Sequence, residues 1–224
     1  NMRYGACNPE DISFLRSGVI SNRPGHPTFT NPKYRMTPII TSWNAHKDKI
    51  NEIGSQRFAE DTGQTLTHFY ACDTLAGNSD SGYRLPMNLR RKEKLPPSRK
   101  LSLDQQNELW KAHPSTSEHI AGRLSLCVGL PVMIRNNDAT ELCITKGQEA
   151  TVVGWQASTG PDGQNILDTL FVKLINPPRK FFIPGLEENI VSLGKATKKI
   201  WCSLPNDMVV SVSREQVLVL PNFA

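Results

Sequence analysis

The sequence has little of what would anchor it to a membrane, a metal ion or a self-contained catalytic centre. Its hydrophobic residues, 38% of the chain, never form a run of ~18, so no bilayer-spanning helix is expected. No charged segment followed by an apolar core opens the chain, so no secretory leader is expected. The five cysteines are odd in number, widely scattered and without a C-x-x-C pair. Cys127, Cys143 and Cys202 sit in apolar, strand-like settings, while Cys7 and Cys72 stand apart. That pattern fits reduced thiols in an intracellular protein better than zinc ligation or disulfides. The histidines His26, His46, His68, His113 and His119 show no H-x-x-x-H spacing and read as structural or surface residues. No G-x-x-x-x-G-K-[ST], G-x-S-x-G, H-E-x-x-H or paired-carboxylate motif occurs; Gly185 to Lys195 comes nearest to a phosphate loop and fails its pattern. By itself the chain shows no catalytic residues.

What is present is a basic chain with clear punctuation. The net charge of +5 and isoelectric point near 9.0 favour a polyanionic partner mildly. A length of 224 residues allows one large or two small domains, which bury roughly 70% of the unfolded surface. Asn8 to Gly18 predicts a small helix: Asn8 caps it, Pro9 suits its first turn, and Glu10 and Asp11 favour its positive end. Asn22 to Pro38 reads as a proline-rich loop. Pro38 to Trp43 predicts a short strand that feeds a helix over about 44–62, with Ile50, Ile53 and Phe58 on its apolar side. A strand leading into a helix turns free N–H groups toward an anion, although Asn44 also suits a plain N-cap. Leu66 to Cys72 is a further strand.

Composition changes over about 76–100, where Gly, Ser and Asn precede Arg90-Arg-Lys-Glu-Lys94 and Pro96-Pro97. This is an exposed basic insertion; a solvated loop is the plainer reading, nucleic-acid contact or nuclear import the sharper one. Ser102-Leu-Asp-Gln105 is a capping box opening a helix with Leu109 and Trp110. From Leu124 onward the pattern is β. Pro131 to Ile134 stops at the polar cluster Arg135-Asn-Asn-Asp138, and a strand from about Glu149 to Trp155 starts after a Lys146-Gly147 turn. Turns at Ser158 to Gly163 and Pro205 to Asp207 mark two hairpins, and five short strands over ~75 residues predict a small barrel or sandwich. Arg135, Asn136, Asn137, Lys146, Gln148 and Arg214 are the candidates for contact with a phosphate backbone. Trp155, Phe171 and Trp201 suit either core packing or stacking on bases.

Several stretches carry a resemblance. Arg3-Tyr-Gly with Glu10-Asp-Ile-Ser-Phe-Leu15, Ile39-Ile-Thr-Ser-Trp-Asn44 with Lys49-Ile-Asn51, and Val128-Gly-Leu-Pro-Val-Met-Ile-Arg-Asn136 occur in that order. Lys146-Gly-Gln-Glu-Ala-Thr-Val152, Arg214-Glu-Gln-Val217 and Asn222-Phe-Ala224 follow. Together they resemble the region around the second motor domain of Pif-type, RecD-like superfamily-one DNA helicases. The stretch from Val132 to Glu149 is most similar to the helicase-like proteins of fungal Helitron-type elements. Lys146 departs from the asparagine common before that glycine.

The resemblance implies an α/β plus β fold. Residues 1–135 would be part of a second RecA-like domain, a parallel sheet with helices, carrying the basic insertion. Residues 136–224 would be an inserted SH3-like small β-barrel and the return to the motor. The implied activity is that of an ATP-dependent 5′-to-3′ DNA helicase that unwinds duplexes by translocating on single strands. Asn44 and Lys47 would lie on the nucleotide-cleft side, and Arg135, Asn136, Asn137, Lys146, Gln148 and Arg214 at DNA. ATP and Mg²⁺ would serve the intact helicase, with neither bound by this part alone. Partners would be single-stranded or forked DNA and the first motor domain, in an intracellular, nuclear setting without a membrane. The Walker motifs are absent and the S-Q-G-x-T motif is expected just past Ala224, so the chain is expected to be an inactive-alone fragment. The alternatives are a non-catalytic strand-binding module and a decayed transposon-derived fragment.

Overall fold

The computed structural model describes residues 2–21, 24–26, 28, 31, 34, 37–75, 101–203 and 209–224. The basic insertion, the Pro205–Asp207 turn and much of the proline-rich loop lie outside the described residues. The chain divides into two compact units, 1–39 and 40–224. The expected boundary at 135/136 falls in the loop between two neighbouring strands of the second unit.

In the first unit, helix α1 (Pro9–Ser17) forms where its caps direct it. Asn8 Oδ1 accepts from Asp11 N–H at 2.8 Å, and the Asp11 carboxylate accepts from Asn8 N–H at 2.9 Å, a reciprocal capping box.

At Pro38 to Trp43, which includes the boundary between the two units, a strand is expected and none forms. These residues have no regular structure, and Ile40 is fully exposed. A strand exists only through pairing, and no described segment offers this one a hydrogen-bonding edge. Helix α2 (Asn44–Asp61) follows, but its N-cap is Trp43 with no side-chain cap bond, and Asn44 is the first helical residue. Ile50 and Phe58 pack against the core as expected, but the most deeply buried residues of the helix are others. Asp48, Asn51, Gly54, Ser55 and Ala59 face inward, while Ile53 is 57% exposed. The inward side chains are small or polar because the chain end presses close. A Cβ on Gly54 would sit 2.4 Å from Phe223 Cγ, and Asn51 Oδ1 accepts from the N–H groups of Phe223 and Ala224, both at 2.9 Å.

Beyond α2 lie β1 (Thr67–Tyr70), β2 (Cys72–Leu75), α3 (Leu103–Lys111), β3 (Arg123–Leu126), β4 (Pro131–Ile134), β5 (Glu149–Thr159), β6 (Asn165–Leu174), β7 (Ile190–Ser203), β8 (Val209–Val217) and β9 (Val219–Pro221). Ser102 and Gln105 make the predicted capping box at α3. β1 pairs with β3, and seven strands follow the order β2-β8-β7-β6-β5-β4-β9. β8 and β9 are separated by Leu218 alone, yet β8 pairs with β7 and β9 with β4. One nearly continuous strand thus borders both ends of the series from β4 to β7, and the antiparallel sheet curls back on itself. Register shifts in β5 at Val152/Gly154 and Gln156/Ala157 bend it further.

The expected parallel RecA-like sheet is not seen: every strand pair among the described residues is antiparallel. β5 and β6 are joined by the short connection 160–164, which antiparallel pairing permits, whereas parallel pairing needs a long crossover. Inside the curl, Leu126, Val132, Ile134, Ala150, Val152, Leu167, Leu170 and Val172 are buried. Each fully buried aliphatic side chain contributes about 1.5–3 kcal/mol, so this shared core holds the sheet. Trp155 packs edge-on against Phe69 with ring centroids 5.4 Å apart, which uses the indole in packing.

Candidate nucleic-acid interface

The loop from β4 to β5 is built by its own backbone. Ile134 N–H donates to Gln148 O at 2.9 Å and Gly147 N–H to Ile134 O at 2.8 Å, so the two strand ends stay in register. Gly147 takes a φ of +93°, a conformation that suits glycine. Asn137 Oδ1 accepts from Lys146 N–H at 2.7 Å, tying the polar cluster to the turn. Asn136 Nδ2 donates to Asp138 Oδ1. Arg135 N–H donates to Leu218 O at 2.9 Å, which fixes the start of its side chain at the β8–β9 junction.

Across from this loop stands the first turn of α2. Lys47 Nζ lies 3.2 Å from His119 Nδ1, and Lys47 is half-buried. Burial holds the Lys47 ammonium below the ordinary lysine range, and Arg135 pushes it the same way against the opposing pull of Asp48. His119 is likewise held below the ordinary histidine range. Burial is the main cause, Lys47 and Arg135 the next, and Lys146 adds to them while Asp48 opposes. Four basic side chains from three places in the chain therefore share one electrostatic neighbourhood. Asp48 offsets them in part, but it is buried and accepts from Ser115 N–H at 2.8 Å.

The structure thus brings together Lys47, expected on a nucleotide side, with Arg135 and Lys146, expected at DNA. Asn44 is exposed at the start of α2. Asn136 is half-buried and Asn137 exposed, both within the loop. Gln148 turns inward, its Nε2 donating to Glu149 O and Ile175 O at 2.8 and 2.7 Å.

Arg214 is the correction within this set. Its side chain is fully buried. Nε donates to Asp73 Oδ1 at 2.7 Å, Nη2 to Asp73 Oδ2 at 2.9 Å and Leu109 O at 3.2 Å, and Nη1 to Ile120 O at 2.8 Å. Gln106 Nε2 also donates to Asp73 Oδ2, at 3.0 Å. Four of the five guanidinium donors go to a carboxylate and two carbonyls, and the fully buried side chain is out of reach of a phosphate. Its role here is to lock β2 and β8 to α3.

His119 is the residue that sequence reasoning leaves among plain structural histidines. Its only local signal is a place after the turn-forming Pro114-Ser-Thr-Ser117. Glu118 and His119 both adopt positive φ, +52° and +63°. His119 N–H donates to Pro114 O at 2.7 Å, and Glu118 Oε1 accepts from Trp201 N–H at 3.1 Å, which holds this conformation.

A cavity of about 370 Å³ lies beside α2, lined by Asp48, Glu52, His68, Lys111 and Arg123 among others. Its carboxylates and cations balance, so it selects no charged ligand as the Lys47–Arg135 cluster does.

No family model matches the chain, and no curated protein matches it. Among solved structures it is similar to the Pif1 helicase of Candida albicans, with a TM-score of 0.48 and 14% identity over 98% of this chain and 40% of that one. It is similar also to unliganded Pif1 from a Bacteroides species, at 0.49 and 15% over 100% and 37%. Bacteroides Pif1 bound to single-stranded DNA gives 0.45 and 14% over 100% and 37%. The chain spans 37% to 40% of these helicases' length, and its structural neighbours are Pif1 helicases at low identity.

Proposed function

We propose that this chain is the strand-gripping part of a Pif-type, ATP-dependent 5′-to-3′ DNA helicase related to those of Helitron elements. The observation that carries the reading is that Arg135 and Lys146, in the loop closed by the Lys146 N–H to Asn137 Oδ1 bond, both act electrostatically on the Lys47–His119 pair. The resemblance of Val128 to Asn136 and of Lys146 to Val152 to helicase motifs supports it from the sequence. In this reading the curled sheet is an SH3-like barrel, residues 1–135 contribute to a RecA-like motor, and the seam between them faces DNA. Single-stranded or forked DNA is the ligand, the first motor domain a partner, and the nucleus the location.

The chemistry assigned to the chain is grip, not hydrolysis. Arg135 offers a planar fork to phosphate oxygens, and Lys47 and Lys146 add point charges. Displacing condensed counterions from the strand supplies most of the affinity. ATP and Mg²⁺ serve the intact helicase. Of the two residues expected near the nucleotide, Asn44 is exposed and the Lys47 ammonium is turned to His119.

The test is titration of labelled oligothymidylate at two salt concentrations. Three cations on phosphates give a slope of roughly −2 in log affinity against log salt. No binding at low salt would overturn the reading. Robust ATP turnover by the chain alone would overturn the assignment of catalysis to other parts of the parent protein.

A further inference from the structure

We propose that His119 is a fourth phosphate ligand in this cluster, one that binds by taking up a proton as the strand arrives. The inference rests on the strand-binding reading and adds to it a residue and a pH dependence.

The geometry carries it. A lysine ammonium has donors only, so at 3.2 Å Lys47 Nζ donates to His119 Nδ1, and that nitrogen is the acceptor of a neutral imidazole. The histidine is therefore poised in its uncharged form next to three cations. Its position is held from several directions. Asp48 anchors the turn through Ser115 N–H, Ser117 Oγ donates to Ile120 O at 2.9 Å, and Glu118 is tied to β7 through Trp201 N–H. Glu118 and His119 are consecutive non-glycine residues in the left-handed region, and such strain gathers where a side chain must be aimed. What it aims here is an imidazole, half-buried, into the Lys47–Arg135 neighbourhood.

The charged groups around it come from each element nearby: Lys47 and Asp48 from α2, Arg135 after β4, and Lys146 before β5. With no anion present, the three cations disfavour a fourth charge. A phosphate oxygen entering among them reverses that balance. Lys47 turns its N–H to the phosphate, Nδ1 is released, and one proton from solvent adds to it. The imidazolium then donates a charge-assisted hydrogen bond to the strand. One proton is consumed per strand segment bound.

The experiment is binding of labelled oligothymidylate to the whole chain at constant salt, at about pH 6 and about pH 8. Affinity is expected to rise several-fold on acidification, with a limit of about tenfold per pH unit for one linked proton. His119→Asn, which tolerates the left-handed backbone, should lose that rise. His119→Lys should bind with little pH dependence across this range. A second readout does not depend on the variants' stability. The imidazole pKa of His119, followed by NMR in the wild-type chain, should move up when oligothymidylate is added. An unmoved pKa, or an equal pH dependence in His119→Asn, overturns the inference and leaves strand binding intact. Absence of binding at both pH values overturns the strand-binding reading and the inference with it.

Discussion

Arg135 and Arg214 look alike in the sequence, each a lone arginine at the end of an apolar run, but they occupy opposite environments. Arg214 is fully buried, with its donors shared among Asp73, Leu109 O and Ile120 O. Arg135 is half-buried, and its charge acts on both Lys47 and His119. The first arginine is compensated, so its charge stabilises contacts and is silent to the outside. The second is surrounded by its own kind, which is a cost in the free protein and an attraction for an anion. The charge of a residue is thus a poor guide to function until its neighbours are known.

The comparison breaks most visibly at the buried end. Arg214→Ala should leave the Asp73 carboxylate buried without its partner and cost about 3–5 kcal/mol, read as a large fall in the denaturant midpoint. An unchanged midpoint would mean that the pair is not closed in solution. Gly122→Ala strikes the same place from the side. A Cβ there would stand 2.4 Å from Leu109 O, the carbonyl that also accepts from Arg214, so a loss of about 1–3 kcal/mol is expected from thermal unfolding.

At the open end the effects should be on binding and not on folding. Arg135→Gln should weaken oligothymidylate binding roughly tenfold at low salt and shrink the salt slope by about 0.7, with the melting temperature nearly unchanged. A variant that lost stability but kept its DNA affinity would reverse the contrast with Arg214.

The smallest effect concerns pH. His68 and His119 are both held below the ordinary range, chiefly by burial and then by Arg123 or by Lys47 and Arg135. A lowered folded value means the unfolded chain takes the proton first. Stability should therefore fall as pH drops below about 6.5 and level off once the folded value is passed. Urea unfolding of wild type and His119→Asn across that window checks it, the variant showing the shallower fall.

Much of the fold was legible where local chemistry is self-sufficient. Asn8 with Asp11 and Ser102 with Gln105 cap their helices as their spacing demands, and the turn at 158–163 joins β5 to β6. The polar loop from Arg135 to Lys146 also stands where the change from apolar to charged residues put it. Legibility failed where a partner decides. Pro38 to Trp43 has strand-like residues but no described edge to pair with. On α2, Ile53 lies outside while Asp48 and Asn51 lie inside, because the 114–116 turn and the chain end at Phe223 supply hydrogen bonds to those polar side chains. His119 carried no signal because its meaning comes from Lys47, 72 positions away.

The sequence by itself determined the caps, the turns, the alternation that builds an antiparallel curl, and the basic balance that points to a polyanion. The caps, turns and alternation depend on residues within a few positions of one another, and the charge balance on composition alone. Tertiary structure alone decided which arginine is spent on a buried carboxylate and which remains for a ligand. It also decided that a lysine of α2 and a histidine of a distant turn would meet. Charge interactions act through space and the local dielectric, and neither distance nor burial is written in the order of the residues.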